Sequence, residues 1–322
     1  MGYGAVTAFM EKDCILPSGI IITAVLRGGC NLDCPVCIVN KRDERRQTSY
    51  VTQDHLITLL DSVKSRGVLG GAAIVGDEPL QRHCWPIAES VLNHARERGR
   101  APTALITNGY NLIDYVEELR RLNNTKIVVS LDAASEKHDI IRRKTGAFAR
   151  ITEGVRSASM HDDLLRRLSI ASILMPGNLD DIPGVIAFAA EHRIAQVLAS
   201  PLLTSSRNEP LTVHPKVMKE AWRAIPRLLD QAEAAGVKLR LSDEFAVLGP
   251  WEEKLAETGI EIMAPKEPAR LIRVDAAGRV ETLTTMHAGT TTGLQLPEDI
   301  GEIDGFVDTL LGQCFEPVRQ AA

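Results

Sequence analysis

The chain has 322 residues, of which 44% are hydrophobic and 25% are charged, so it can bury a substantial core. Its 37 basic and 42 acidic residues are mixed along the sequence and give a net charge of −5, which excludes a polyanion-binding surface and argues against nucleic acid as a partner. The longest apolar run, residues 19–26, is too short to cross a bilayer, and no secretory signal is evident at the N-terminus.

Residues 18–200 alternate short apolar runs with amphipathic stretches, a pattern typical of strands connected by helices. This alternation predicts a parallel sheet of βαβ units, and six units make an α/β fold with a partial (β/α)6 barrel, open on one side. The predicted strands are 19–26, 71–75, 103–106, 126–131, 167–174 and 196–199. The predicted helices include 52–66, 86–98, 112–122 and 180–192, and Pro86 suits the first turn of the second.

The rhythm changes after Pro201. The remaining pattern predicts a long helix at 215–235, a strand at 237–241, a hairpin of 270–274 with 279–284, and a final helix at 304–312. We expect residues 201–322 to form a small α+β extension that covers the barrel mouth and is not an independent domain. The hydroxyl-rich run 284–292 is either a flexible loop or the lining of a polar substrate pocket.

Three of the six cysteines lie within eight residues, and the others are scattered: Cys14, Cys30, Cys34, Cys37, Cys84 and Cys314. A disulfide framework needs a short secreted chain with paired spacings, and this chain has neither. Clustered thiols indicate metal binding instead, and the reducing cytoplasm is the compartment that suits them.

The segment Cys30-Asn-Leu-Asp-Cys34-Pro-Val-Cys37 places three thiols in one short loop. Three thiolates hold three irons of a four-iron cubane and leave the fourth iron open, as a catalytic cluster requires. Zinc is the alternative, but a structural zinc site usually has four protein ligands. The fourth would have to be recruited singly from Cys14, His55 or Cys84.

Polar motifs follow the next strands at their carboxyl ends, where α/β barrels carry their sites. Taken alone, each has a plainer interpretation: Asn-Gly is a common turn, and the arginines suit a solvated helix surface. In chain order the motifs are Gly76-Asp77-Glu78-Pro79, Thr107-Asn108-Gly109, Ser130-Leu131-Asp132, His138-Asp139 and Arg142-Arg143-x-x-Gly146.

The Cys-x3-Cys-x2-Cys loop after a first strand, followed by these motifs in this order, resembles the radical S-adenosylmethionine (SAM) superfamily over about residues 20–200. The resemblance implies one [4Fe–4S] cluster on Cys30, Cys34 and Cys37, with SAM as the second cofactor. Val36 stands where the family usually has an aromatic residue, and its side chain is expected to pack on the adenine.

The resemblance also implies which residues contact SAM. The family's Gly-Gly-Glu-Pro element binds the methionine amino group, and Gly76, Asp77, Glu78 and Pro79 are similar to it. Asp77 replaces the second glycine, which is tolerable at a negative φ. Polar groups at Thr107, Asn108, Ser130, Asp132 and either Arg142 or Arg143 are expected around the ribose and carboxylate, since a guanidinium fork matches both carboxylate oxygens.

The hairpin at 270–284 is similar to that of SPASM or twitch extensions, which bind auxiliary clusters through several cysteines. Beyond residue 200 the chain has only Cys314, so we expect a degenerate extension without an auxiliary cluster. Cys314 and Cys84 are candidate hydrogen donors to a substrate radical; the alternative for either is a small buried hydrophobe.

The function implied by the resemblance is reductive cleavage of SAM to a 5′-deoxyadenosyl radical. The expected substrate is a small polar metabolite of sugar, nucleoside or amino acid type, which is epimerised, oxidised, rearranged or fragmented in specialised biosynthesis. The cysteine motif begins at residue 30, which argues against a preceding leader-peptide-binding domain. Modification of a ribosomally made peptide and a non-catalytic iron–sulfur scaffold are the alternatives. An electron donor such as flavodoxin or ferredoxin is the expected protein partner.

Overall fold

The structure, a computed structural model, describes residues 19–26, 29–37, 49–204, 212–213, 215–242, 270–284 and 287–315. Its strands are β1 (Ile20–Val25), β2 (Leu69–Val75), β3 (Thr103–Thr107), β4 (Thr125–Ser130), β5 (Leu168–Leu174), β6 (Gln196–Pro201), β7 (Leu203–Thr204), β8 (Thr212–Val213), β9 (Lys238–Leu241), β10 (Arg270–Val274), β11 (Arg279–Thr284) and β12 (His287–Gln295). Its helices are α1 (Gln53–Ser65), α2 (Trp85–Glu97), α3 (Val116–Arg121), α4 (Lys137–Arg142), α5 (Ala147–Ser159), α6 (Asp162–Leu165), α7 (Ile182–Glu191), α8 (Pro215–Ala234) and α9 (Ile303–Phe315).

Within the described residues, ten strands form one sheet in the order β12-β11-β10-β1-β2-β3-β4-β5-β6-β9. Strands β1 to β6 pair with one another in chain order, and every one of these pairs is parallel. All six residues of β1 and all seven of β2 are buried, as the continuous apolar runs of a parallel sheet predict. The α/β fold with a partial barrel, expected from the sequence, is confirmed.

One face of the sheet packs against helices. Alternate strand residues such as Ile22, Ile74 and Ile127 join one hydrophobic cluster with the buried faces of the helices. Residues of opposite parity, including Ile21 and Val25, are also buried but do not belong to that cluster. They therefore point to the other face of the sheet, because successive side chains of a strand alternate.

Local sequence signals explain where several helices begin and end. Thr52 caps α1 through a capping box, in which His55 N donates to Thr52 Oγ1 and Thr52 N donates to His55 Nδ1. Pro86 lies in the first turn of α2, where its missing N–H costs nothing. Arg143 ends α4 in the left-handed conformation at φ 51°.

The six predicted strands of the first 200 residues are present, with ends moved by no more than two residues. The single helix expected at 112–122 is a 3-10 turn over Leu112–Tyr115 followed by α3. For the run at 284–292, the expectation of a flexible loop is wrong for residues 287–292, which belong to β12 and pair with β11. The alternative, that the run lines a polar substrate pocket, stays a prediction. Threonine suits strands well, so hydroxyl content alone was a poor guide to a loop.

The C-terminal strands extend the sheet at both of its edges. Strand β9 pairs with β6, and β10 pairs in parallel with β1, while β11 and β12 follow antiparallel. Helix α9 lies beside α1, where Arg66 forms ion pairs with Asp304 and Asp308. The division at residue 201 and the covering of the barrel mouth stay predictions. Among the residues that the structure describes, no helix combines the length and apolar character that a membrane crossing requires.

Candidate functional site

The candidate site lies where β1 to β4 end, because the carboxyl ends of parallel strands meet at one edge of a sheet. The cysteine loop follows β1, Gly76–Pro79 follows β2, Asn108 follows β3, and Asp132 follows β4.

The three loop cysteines are free thiols, with Cys34 buried and Cys30 and Cys37 half-buried. A hydrogen bond from Cys37 N to Cys34 O, 3.2 Å long, holds the second half of the loop as a turn. Burial raises the pKa of Cys30 to about 12, and the nearby carboxyl of Glu78 adds to this. Burial also raises the pKa of Cys34, while Arg142 acts in the opposite direction. Thiolates at such positions need cationic partners, which bound iron supplies.

The loop holds three free thiols. In a [4Fe–4S] cluster each thiolate binds a different iron, so three thiolates leave the fourth iron open. A structural zinc site usually has four protein ligands instead.

Glu78 joins the ends of β2 and β3. Its side chain has no exposed surface and accepts hydrogen bonds from Leu80 N (2.9 Å), Thr107 Oγ1 (2.6 Å) and Asn108 N (2.7 Å). Burial raises the pKa of Glu78 to about 7 against the lowering effect of these donors. Sequence reasoning expected this residue as part of a backbone element and missed that its carboxylate fixes the neighbouring turn.

Asn108 connects that turn to the cysteine loop. Its Nδ2 lies 3.3 Å from Cys30 Sγ and donates to Asn31 Oδ1 at 2.8 Å, and its Oδ1 accepts from Tyr110 N. The next residue, Gly109, has φ 78°, and a Cβ there would lie 2.6 Å from Val129 Cγ1. Asn108 is therefore required for its side-chain contacts, and Gly109 for its backbone conformation and the lack of space for a side chain.

Asp77 departs from the expectation of a negative φ. Its φ is +38°, in a region that glycine adopts readily and that aspartate adopts more often than most other residues do. Its Oδ2 accepts a hydrogen bond of 3.1 Å from Gly29 N, immediately before Cys30. The side chain thus ties the cysteine loop to the β2 turn, which a glycine at this position would not do. Pro79 is buried behind this turn.

Arg142 and Arg143 have different surroundings. Arg142 is buried, its Nη2 lies 2.7 Å from Asp132 Oδ2, and its carbonyl oxygen accepts from Cys34 Sγ at 3.7 Å. Burial lowers the pKa of Arg142, but Asp132 and Cys34 raise it more, so the guanidinium stays charged. The Arg143 side chain is 59% exposed and lies 3.8 Å from Asp33. Of the two, Arg142 faces the cysteine loop from within the protein.

Asp132 is held by its neighbours on three sides. Its Oδ1 accepts from Ile173 N, its N–H donates to His138 Nδ1, and its carbonyl accepts from Asn178 Nδ2. Burial lowers the pKa of His138 to about 4, so the ring is neutral. Sequence reasoning missed Asn178; an asparagine in the loop after the fifth strand was the signal available.

The other residues predicted from the sequence have different surroundings. Ser130 Oγ donates to Thr107 O, which links the ends of β3 and β4. Val36 is partly buried and packs against the hydrophobic core. Cys84 is buried in the core under the helices, where burial raises its pKa to about 11. The side chain of Cys314, the predicted hydrogen donor, lies outside the described residues.

A model of the radical SAM superfamily matches residues 25–189. Fe-coproporphyrin III synthase of Methanosarcina barkeri is 24% identical over 206 residues, which cover 63% of this chain and 49% of that protein. GTP 3′,8-cyclase of Bradyrhizobium diazoefficiens is 25% identical over 161 residues, covering 50% of this chain and 46% of that one. The chain thus spans about half the length of these curated relatives.

Among solved structures, SuiB of Streptococcus suis bound to S-adenosylmethionine is similar, with a TM-score of 0.62 and 15% sequence identity. The match covers 86% of this chain and 63% of that one. At 15% identity, this similarity shows a shared fold and nothing about activity.

Proposed function

This chain belongs to the radical SAM superfamily, and we propose that it abstracts hydrogen from a small polar metabolite. The cofactors of the family, a [4Fe–4S] cluster and SAM, are those expected from the sequence. When bound, they supply an electron and a 5′-deoxyadenosyl radical. The observation that carries the proposal is the contact of the Cys30–Cys37 loop with Asn108, and through it with the buried Glu78.

The chain's own residues hold and charge-balance the site. Cys30, Cys34 and Cys37 are the proposed cluster ligands. Arg142 lies 4.0 Å from Cys34 Sγ through its Nη1, so its positive charge offsets the charge of thiolates that burial disfavours.

The SAM contacts are proposed on the strand ends. Gly76, Asp77 and Pro79 shape the β2 turn, Thr107 and Asn108 the β3 turn, and Ser130 and Asp132 the end of β4. We assign the carboxylate contact to Arg142 rather than Arg143, because a partly desolvated guanidinium binds a carboxylate more strongly than an exposed one.

Reconstitution under anaerobic conditions tests the proposal. The protein is loaded with iron and sulfide, reduced with dithionite in the presence of SAM, and 5′-deoxyadenosine is measured by mass spectrometry. We expect the product from the parent and its loss in Cys34→Ala. The matched control is Cys84→Ala, which removes a thiol outside the loop and should keep the full iron content. A parent that binds the cluster yet forms no 5′-deoxyadenosine would favour the scaffold alternative, which the enzyme family argues against.

The substrate and the electron donor are tested separately. Turnover with small metabolites alone supports the proposal, whereas product formation only with a ribosomally made peptide would favour the alternative. Replacing dithionite by reduced flavodoxin or ferredoxin tests whether such a carrier is the donor. A cytoplasmic location suits these reducing partners.

A further inference from the structure

A row of buried polar side chains crosses three neighbouring strands beside the candidate site. Thr23 on β1 is in register with Arg273 on β10, and Arg273 is in register with Glu281 on β11. Their strand neighbours Ile22 and Ile272 belong to the core under the helices. The row therefore points to the opposite face of the sheet, because side chains alternate along a strand.

All three side chains are buried. The exposed fraction is 0% for Thr23, 1% for Arg273 and 7% for Glu281. Arg273 Nη1 lies 3.2 Å from Glu281 Oε2. The hydroxyl of Thr23 makes no hydrogen bond within the described residues. A buried hydroxyl left without a partner costs about 1–3 kcal/mol, so its presence calls for an explanation.

Stability does not explain the row. A buried ion pair is often no better for folding than well-packed apolar side chains of the same size. On the same face, the residues that continue the row across β2 and β3 are Ala73 and Ala104, in register with Thr23 and with each other. The sheet therefore places small apolar groups beside the row, and the three polar side chains are an exception on this face.

The row lies close to the proposed SAM site. Thr23 precedes Val25 by two residues, a distance of about 7 Å along a strand. Val25 is in register with Val75, and its side chain touches the position of Gly76, where the β2 turn begins. On this face of the sheet, Val25 is the next residue of β1 after Thr23. The row therefore lies beside the residue that contacts the β2 turn, and that turn is bonded to the cysteine loop.

We propose that Thr23, Arg273 and Glu281 recognise the zwitterionic head group of a free amino acid, an inference that rests on the proposed function. The row contains one cation and one anion, paired with each other, and one hydroxyl, so its charges complement a ligand that carries a carboxylate and an ammonium group together. A phosphate-bearing nucleotide would be repelled by Glu281, and a neutral sugar would not require buried charges. A residue inside a peptide lacks both charged groups.

The proposal is tested by binding to the cluster-loaded protein in the presence of SAM. The probes are the twenty free L-amino acids, the same amino acids as N-acetyl amides, GTP and glucose. The readouts are the melting temperature and calorimetric titration. We expect at least one free amino acid to bind and to raise the melting temperature, and its N-acetyl amide to do neither.

Variants then connect the binding to the row. Replacing the pair together, Arg273→Met with Glu281→Leu, avoids leaving one buried charge alone, and we expect binding to weaken at least about thirtyfold. Thr23→Val has nearly the same shape, and we expect about tenfold weaker binding. The matched control is Arg279→Met, which removes a cation from the same hairpin but leaves the row intact and should bind as the parent does.

The outcomes distinguish a failure of the amino acid site from a failure of the proposed function. The electron paramagnetic resonance spectrum of the reduced cluster reports SAM binding independently. A parent whose spectrum responds to SAM but which binds no free amino acid, or binds GTP, glucose or the amides equally well, overturns this inference alone. Equal binding by the double variant and the control overturns it as well. A spectrum that does not respond to SAM overturns the proposed function, and this inference with it.

Discussion

At the scale of single residues, Glu78 combines full burial with three hydrogen-bond donors. Its pKa rises from an ordinary 4.5 to about 7, so the folded protein holds this proton to a higher pH than the unfolded chain does. Between these two values the folded state binds more protons, and stability from this group falls as the pH rises. The full effect is about 3 kcal/mol, since one pKa unit corresponds to about 1.4 kcal/mol.

We predict that Glu78→Gln removes this decline in the cluster-free protein. The amide cannot ionise, although it loses part of the acceptor set and should be less stable than the parent near pH 5 by about 1–3 kcal/mol. Urea unfolding between about pH 4.5 and about pH 7 measures the free energy of unfolding of the parent and of Glu78→Gln. His138 contributes with the opposite sign, because its lowered pKa makes stability fall as the pH drops from 6.5 to about 4. His138 is present in both proteins, so its contribution cancels when their free energies of unfolding are subtracted. Equal slopes of the free energy of unfolding against pH would contradict the prediction.

Arg142 and Arg143 offer a second comparison between adjacent residues. We predict that Arg142→Met lowers the free energy of unfolding by about 3–5 kcal/mol, because the carboxylate of Asp132 is then buried without its cation. Arg143→Met changes an exposed side chain, so its effect should stay within about 0.5 kcal/mol. Urea unfolding of the two cluster-free variants provides the measurement. Losses of similar size would show that the buried pair is not the structural contact described here.

At this scale the sequence predicted which residues meet but not what each does. The three cysteines and the strand-end motifs are short and local, so their positions could be inferred from order alone. Which of Arg142 and Arg143 is buried could not be inferred, because it depends on the turn that ends α4 and buries one side chain while exposing the other. The carboxylate of Glu78 likewise has its role through Thr107 and Asn108, about thirty residues away.

At the scale of elements, the turns after the strands depend on glycines that have different surroundings. Gly109 and Gly146 have nearly the same φ, 78° and 77°. A Cβ on Gly109 would overlap Val129, whereas nothing lies within 4 Å of a Cβ on Gly146.

We predict that Gly146→Ala costs about 1–2 kcal/mol, the strain of a left-handed backbone alone. Gly109→Ala should cost at least about 1–3 kcal/mol more, since the overlap with Val129 adds to that strain. Chemical denaturation of both variants measures the difference. Equal costs would mean that the β3 turn yields to the added methyl group without penalty.

The connection between the β2 turn and the cysteine loop gives a further prediction. Asp77→Ala keeps a left-handed residue but removes the acceptor of Gly29 N, so we expect a lower iron content after reconstitution. Asp77→Asn retains an acceptor and tolerates the same φ, and it should load iron as the parent does. Iron analysis and the visible absorption of the cluster give the readout. Full loading of Asp77→Ala would show that the contact does not organise the loop.

At the scale of elements, strands with a local sequence signal were predicted correctly, and elements that depend on distant pairing were not. The strands β1 to β6 are apolar runs between turn residues and were predicted almost to the residue. Strand β12 was missed because its threonines and glycines resemble a loop, and it is a strand only through its pairing with β11. The predicted helix at 112–122 is divided between Tyr115 and Val116, and the apolar periodicity of the sequence does not mark that division.

At the scale of the whole molecule, residues beyond 201 supply strands at both edges of the first six. A sequence has no local signal for such pairing, so the extension was predicted but its attachment to β1 was not. Because the sheet is continuous, we expect its two parts to unfold together.

We predict that Ile272→Ala on β10, whose side chain is fully buried, lowers the free energy of unfolding of the entire chain by about 2–5 kcal/mol. Met160→Ala removes a side chain that is 70% exposed and serves as the control, with a change of about 0.5 kcal/mol or less. Circular dichroism and tryptophan fluorescence should give coincident transitions for both variants. Two separate transitions would indicate that the extension is an independent domain.

The pairing of β1 with β10 places Ile20 beside Arg270. A ribosome adds about 5–20 residues per second, so the first strand waits roughly 10–50 s for this neighbour to be made. Until then the nascent chain carries the iron-binding thiols on an incomplete scaffold, and oxygen or stray metals have access to them. Maturation of the cofactor is therefore expected only after β10 has been made, and cells that overproduce the protein should accumulate folded, metal-free chains when iron delivery is slower than translation.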